Sequence, residues 1–176
     1  MITLVTGGTK CGKSAYAEKL IDRLSCPKYY IATSNPVGDE AQEIIARNME
    51  MRTQKKYITL DCPRDIAYAD IPVGSAVLVE YIGKLCANEM YVDGKILRAA
   101  DKIVSGLQLI AAKASELVIV TNAVGNDGIS YSPDLMEYIK EMGRIDRRLA
   151  EFSDNVIECV YGIPIALKGS VICTND

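Results

Sequence analysis

The stretch Ile2-Thr3-Leu4-Val5-Thr6-Gly7-Gly8-Thr9-Lys10-Cys11-Gly12-Lys13-Ser14 decides the fold. Ile2 to Thr6 is a short apolar and β-branched run, the composition of a buried strand. Gly7 to Ser14 then matches the pattern GxxxxGK[ST], and AYAEKLIDRL follows at once with helical spacing. Strand, glycine loop and helix in that order build a phosphate cradle. Gly7 and Gly12 allow backbone angles and close approach that a side chain would obstruct, so the N–H groups of Gly8, Thr9, Lys10 and Cys11 can turn inward on phosphate oxygens. The helix beginning at Lys13 adds its positive end to the same place. Lys13 reaches the β- and γ-phosphates as a point charge, and the Ser14 hydroxyl is a magnesium ligand. The expected ligand is a purine nucleoside triphosphate, GTP or ATP, with Mg²⁺.

Outward from this loop, β-branched runs alternate with helical patterns, as in a parallel sheet covered by helices. The runs are Ile2 to Thr6, Tyr29 to Thr33, Tyr57 to Leu60, Ala76 to Glu80, Leu117 to Thr121, Val156 to Tyr161 and Ile163 to Leu167. The last two, split at Gly162 with Pro164 close behind, read as a hairpin that gives the sheet an antiparallel edge. Helical patterns cover Lys13 to Leu24, Asp39 to Arg52, Lys95 to Ser115 and Pro133 to Phe152. The third carries an apolar stripe at Ile96, Leu97, Ala100, Ile103, Val104, Leu107 and Ile110. The expected fold is α/β, a P-loop NTPase-type mostly parallel sheet flanked by helices with an antiparallel C-terminal hairpin. At 176 residues, without repeats or linkers, the chain is expected to be a single P-loop domain over residues 1–176.

Composition narrows the chemistry. Lys and Arg number 20 and Asp and Glu 23, a net charge of −3, which leaves no clustered positive charge for nucleic acid or an anionic membrane. With no histidine in the chain, His-assisted nucleophiles, His metal ligands and a nucleotidyl-histidine intermediate are all excluded. The six cysteines form no CxxC pair and read as reduced thiols, pointing to the cytoplasm. The opening MITLVTGG breaks at glycine and reads as a strand rather than a leader. No apolar run approaches the roughly 20 residues that span a bilayer.

A phosphate loop is shared by switches, motors, kinases and transferases, so further groups must name the reaction. Val77-Leu78-Val79-Glu80 ends in a carboxylate at the C-terminal edge of a central strand, where open α/β sheets hold ligands. Glu80 can hold a metal-bound water or take a proton from an acceptor hydroxyl, or be a solvated strand-end carboxylate. Thr33-Ser34 offers hydroxyls at the same edge, or serves as a loop or helix-entry pair.

Taken together these segments resemble the bifunctional adenosylcobinamide kinase / adenosylcobinamide-phosphate guanylyltransferase family. The resemblance rests on Gly7 to Ser14, on Tyr30-Ile31-Ala32-Thr33-Ser34, on Asp39-Glu40 and Arg52, on Tyr57 to Asp61, and on Leu78-Val79-Glu80 with Asn88. It continues through Val120-Thr121-Asn122-Ala123-Val124-Gly125, Gly128-Ile129, Pro133, Gly143-Arg144, Leu149-Ala150 and Gly162-Ile163-Pro164 to Lys168. It implies a kinase acting on a corrinoid, nucleotide contacts that include Thr33, Ser34, Arg52, Asp61 and Glu80, and assembly as a homotrimer.

The departures matter equally. Where the family has a histidine that carries GMP covalently, this chain has Asn48, whose amide nitrogen is delocalised into its carbonyl and is no nucleophile. The family glutamate before Val124 is Ala123, the strand tryptophan is Tyr57, the threonine after the Glu80 segment is Gly83, and an asparagine is Asp146. Three readings stand: phosphorylation of adenosylcobinamide by GTP or ATP; guanylyl transfer by another route; and a catalytically silent or repurposed nucleotide-binding homologue.

Overall fold

The computed structural model describes residues 1–34, 50, 54–125 and 128–172. In chain order its strands are β1 (Ile2–Gly7), β2 (Lys28–Ala32), β3 (Tyr57–Asp61), β4 (Ala76–Glu80), β5 (Tyr91–Val92), β6 (Lys95–Ile96), β7 (Glu116–Val120), β8 (Asn155–Val160) and β9 (Ile163–Lys168). Seven of them form one sheet in the order β3-β2-β4-β7-β1-β8-β9, and β5 and β6 pair with each other outside it. Within the large sheet all neighbours run parallel except β8 and β9, which pair antiparallel. This is the expected P-loop-type sheet with its C-terminal hairpin. The hairpin turns at Tyr161 and Gly162, both at positive φ, and Pro164 sits on the edge strand where a missing donor costs least.

Helices cover both faces. α1 (Lys13–Asp22) buries Tyr16, Ala17, Leu20 and Ile21 against Val5, Leu78, Val118 and Ile157. On the other face, α2 (Ile82–Met90), α3 (Ala100–Lys113) and α4 (Pro133–Phe152) pack on Leu4, Ile31, Val77, Val79 and Ile119. The middle strands β4 and β7 are nearly all buried, because both of their faces are covered, which is why they read as continuous apolar runs. No helix among the described residues is long and apolar enough to cross a membrane.

One expected helix is shorter than its pattern. The periodicity predicts a helix throughout Lys95 to Ser115, but Lys95–Ile96 form the short strand β6, paired with β5, and α3 starts at Ala100. The cause is the Asp93-Gly94 turn, with φ of 50° and 72°, which favours a two-residue hairpin. Ile96 and Leu97 therefore leave the helical stripe and are 44% and 46% exposed. The start of α3 has no Ser, Thr, Asp or Asn of its own as cap; instead Glu141 of α4 accepts hydrogen bonds from the Ala99 and Ala100 N–H groups, each at 2.8 Å. α2 and the β5-β6 hairpin are additions to the elements expected from sequence. The helical pattern at Asp39 to Arg52 lies outside the described residues apart from Glu50.

Candidate functional site

Every parallel strand ends at the same edge of the sheet, and the loops there build the site. Gly7, at φ 145°, closes β1 so tightly that a Cβ would lie 2.6 Å from the Cys159 carbonyl oxygen. Gly12, at φ 95°, immediately precedes α1, and a Cβ there would stand 3.0 Å from Gly162 Cα. Gly162 N–H donates to the Cys11 carbonyl at 2.8 Å, so the β8-β9 turn braces the loop from behind. Gly8 faces open space, where its missing side chain leaves room for an anion. Thr9 and Lys10 are exposed and Cys11 is half-buried.

Lys13 is 8% exposed and its Nζ donates to the Gly8 carbonyl at 2.9 Å, spanning the loop from end to start. The Ser14 hydroxyl donates to Glu80 Oε1. Tyr30 donates to the other carboxylate oxygen, Oε2, at 2.7 Å. Glu80 is thus held between the loop and β2, facing a cleft of about 600 Å³. Thr9, Lys13, Ser14, Tyr30, Ser34 and Glu80 line that cleft, together with Glu18, Lys55, Tyr81 and Asn122. The Ser14 hydroxyl is a hard oxygen donor of the kind magnesium takes, and the Glu80 carboxylate stands beside it.

Other expected residues are placed differently. Thr33 is fully buried: its hydroxyl donates to the Tyr81 carbonyl at 2.8 Å and accepts from the Tyr81 N–H at 2.7 Å, fixing the chain just after Glu80. Asn88 reinforces this by donating to the Thr33 and Pro63 carbonyls, both at 2.9 Å. Asp61 ends the edge strand β3 beside Ala32, exposed and outside the cleft lining. Asn48 and Arg52 lie outside the described residues.

Sequence reading misses several members of the site. Tyr30 stands inside the YIATS segment, but the alternation of a strand does not tell which tyrosine turns to the cleft. Lys55 pairs with Glu18 of α1, a contact that spans 37 residues and leaves no local pattern. Asn122 follows β7 and lines the cleft, yet its Oδ1 is buried without a hydrogen-bond partner among the described residues. Beneath it the Thr121 hydroxyl donates to Asp146 Oδ1 at 2.8 Å, and burial pushes the Asp146 carboxyl up to about 6 although that hydrogen bond opposes the rise.

A model of the cobinamide kinase / cobinamide phosphate guanyltransferase family matches residues 3–167, which takes in the loop, Glu80 and the C-terminal hairpin. The chain belongs to that family. It is 32% identical to the bifunctional adenosylcobalamin biosynthesis protein CobU of Salmonella typhimurium, with 96% of this chain and 100% of the relative covered. Identity is 29% to the Escherichia coli protein of the same name, over 96% and 100% of the two chains. It is 26% to the bifunctional protein CobP of Pseudomonas aeruginosa, over 96% and 98%. Among solved structures, an ATPase from a bacterial type III secretion system superposes with a TM-score of 0.51 at 14% identity, covering 94% of this chain and 56% of that one. That likeness speaks to the P-loop fold alone.

Proposed function

We propose that this family member is a kinase that transfers the γ-phosphate of GTP or ATP to the hydroxyl of adenosylcobinamide, and that guanylyl transfer through a covalent intermediate is lost with the histidine replaced by Asn48. The observation that carries the reading is the Ser14-Glu80-Tyr30 chain of hydrogen bonds facing Lys13 across one cleft. It puts a carboxylate beside the place where a terminal phosphate rests on the loop.

On nucleotide binding, Lys13 leaves the Gly8 carbonyl for the β- and γ-phosphate oxygens, and the loop amides with the start of α1 take up the remaining charge. Ser14 would hold Mg²⁺, which when bound neutralises phosphate charge. Glu80, oriented by Tyr30, accepts the acceptor's hydroxyl proton. The acceptor oxygen bonds to the γ-phosphorus, the bond from that phosphorus to the bridging oxygen breaks, and the nucleoside diphosphate leaves with the electron pair. Ser34 and the Glu18-Lys55 pair border the remainder of the nucleotide, and Arg52 is a further proposed contact, whereas Asp61 stands outside the cleft.

We further place the enzyme in the cytoplasm as one P-loop domain that assembles into a homotrimer. The described cysteines Cys11, Cys26, Cys62, Cys86 and Cys159 are all free thiols, in keeping with a reducing compartment. The test is incubation of cobinamide and Mg²⁺ with GTP labelled separately in the γ-phosphate and the guanine, and in parallel with ATP labelled in the γ-phosphate. Label from the γ-phosphate should reach the corrinoid, and Lys13→Ala should abolish it. Guanine label on the corrinoid, or neither label, overturns the assignment.

A further inference from the structure

Two thiols lie behind the phosphate loop on one face of the sheet. Gly7 and Cys159 are partners across the parallel pair β1-β8. The Cys11 sulfur fills the space that a Gly7 side chain would take: it lies 2.7 Å from where a Gly7 Cβ would stand, and the Cys159 carbonyl oxygen lies 2.6 Å from the same point. Cys159 is buried in the apolar cluster beneath α1, and Cys11 packs on the edge of that same cluster. Cys26 touches the cluster too, but at the opposite end of the sheet, beside Ser115. Cys62 and Cys86 belong to the other face.

The surroundings give the two thiols different parts. Cys11 is half-buried and within reach of a small oxidant, whereas Cys159 is 1% exposed and shielded from one. Burial, and after it the Cys11 neighbour, pushes the Cys159 thiol up to about 11, with Lys13 opposing the rise. Shielded and protonated, Cys159 suits the part of a resolving thiol and not of the one oxidised first.

We propose that Cys11 is an oxidation site within the phosphate loop, and that a disulfide from Cys11 to Cys159 switches nucleotide binding off. The oxidant is a peroxide. The Cys11 sulfur attacks one peroxide oxygen and the O–O bond breaks, which leaves a sulfenic acid and releases water. The Cys159 sulfur then attacks the Cys11 sulfur, the S–OH bond breaks, and the hydroxide departs with the Cys159 proton as a second water. The loop has little slack to absorb the new bond. Lys10 and Gly12, on either side of Cys11, are both at positive φ, and the Cys11 carbonyl is held by the Gly162 N–H at 2.8 Å. Drawing the sulfur off Gly7 toward Cys159 turns the Cys11 backbone, and with it the N–H groups that cradle an anion. The switch goes beyond the phosphoryl-transfer reading, since it requires only that the loop bind a nucleotide.

The test treats the intact, reduced protein with hydrogen peroxide, maps its tryptic peptides by mass spectrometry, and follows affinity for fluorescent GTP and ATP analogues before and after. Trypsin cuts after Lys10, Lys13, Arg148 and Lys168, so Cys11 and Cys159 fall on separate peptides, residues 11–13 and 149–168, with no other cysteine on either. Peroxide should join these two peptides and lower nucleotide affinity by about ten-fold or more, and dithiothreitol should reverse both. Nucleotide added first should slow the joining, because coupling between two sites is reciprocal. Cys159→Ala should give no joined peptide and instead a Cys11 sulfenic acid that dimedone traps; in its reduced form it should bind nucleotide within about two-fold of wild type, which also shows that it is folded. Cys26→Ser should respond to peroxide as wild type does. If Cys159→Ala fails to fold, the wild-type peptide map and affinities decide alone. Absence of the joined peptide from oxidised wild type overturns the proposal, and so does a joined peptide with undiminished affinity. If reduced wild type binds neither analogue, the nucleotide reading itself falls and takes the switch with it, whatever the peptide map shows.

Discussion

Replacing Asp146 by asparagine is a clean test of the electrostatics under the site. The Asp146 carboxyl is largely buried, accepts one hydrogen bond from Thr121, and has its pKa pushed from an ordinary 3.8 to about 6. Since the folded protein binds this proton more tightly than the unfolded chain, the group's contribution is fully present below about 3.8 and is lost as pH rises through about 6. The gap between the two values corresponds to about 3 kcal/mol, a ceiling because the carboxyl keeps some contact with water. The amide introduced by Asp146→Asn is nearly isosteric, can still accept from Thr121, and carries no charge at any pH. Urea unfolding of both proteins at pH 4 and pH 8 isolates the effect, because every other titrating group is common to the pair. The variant should gain on wild type by up to about 3 kcal/mol between those pH values, which for a domain of this size is roughly 6–12 °C in melting temperature. A stability difference between variant and wild type that is the same at both pH values would refute the argument.

Other outcomes follow from single contacts. Gly12→Ala forces a side chain to within 3.0 Å of Gly162 and onto a positive φ; nucleotide affinity, read by fluorescence titration, should fall by about ten-fold or more. Tyr30→Phe removes one of the two hydroxyls holding Glu80, so kcat for phosphate transfer should drop by roughly ten-fold while the KM for nucleotide moves little. Glu141→Ala leaves the Ala99 and Ala100 N–H groups without their shared acceptor and frees Arg144; chemical denaturation should show a loss of about 1–3 kcal/mol. That loss should also appear on acidification. Burial alone would raise the Glu141 carboxyl, but the two N–H bonds and Arg144 outweigh it and hold the group below its ordinary value; its stabilisation is present above the ordinary pKa and disappears as pH falls through the lowered one.

The parts of the fold that can be read from sequence are those fixed by short-range rules. The phosphate loop declares itself because strand, glycines, lysine and helix are contiguous, and the Val77-Leu78-Val79-Glu80 run turns from apolar to charged where the buried strand ends. The hairpin at Tyr161-Gly162 is legible for the same reason. At Lys95, by contrast, helical periodicity runs up to Asp93-Gly94, and the turn chemistry prevails over the apolar stripe. Within the site, the Thr33 hydroxyl is visible in the sequence but its direction is not: the Tyr81 backbone, brought alongside by β2-β4 pairing, engages it completely. Tyr30, Lys55 and Asn122 depend on contacts between segments far apart in sequence, and only the assembled sheet edge reveals them.

With its Nζ on the Gly8 carbonyl, Lys13 ties the end of the loop to its start, and on the proposed kinase reading that contact holds the place of a phosphate oxygen. Binding then exchanges one partner for another instead of ordering a slack loop, so little of the nucleotide's binding energy goes into conformational entropy. Because the anion supplies the acceptors for the inward-turned N–H groups from Gly8 to Lys13, their hydrogen exchange should slow markedly when nucleotide is added.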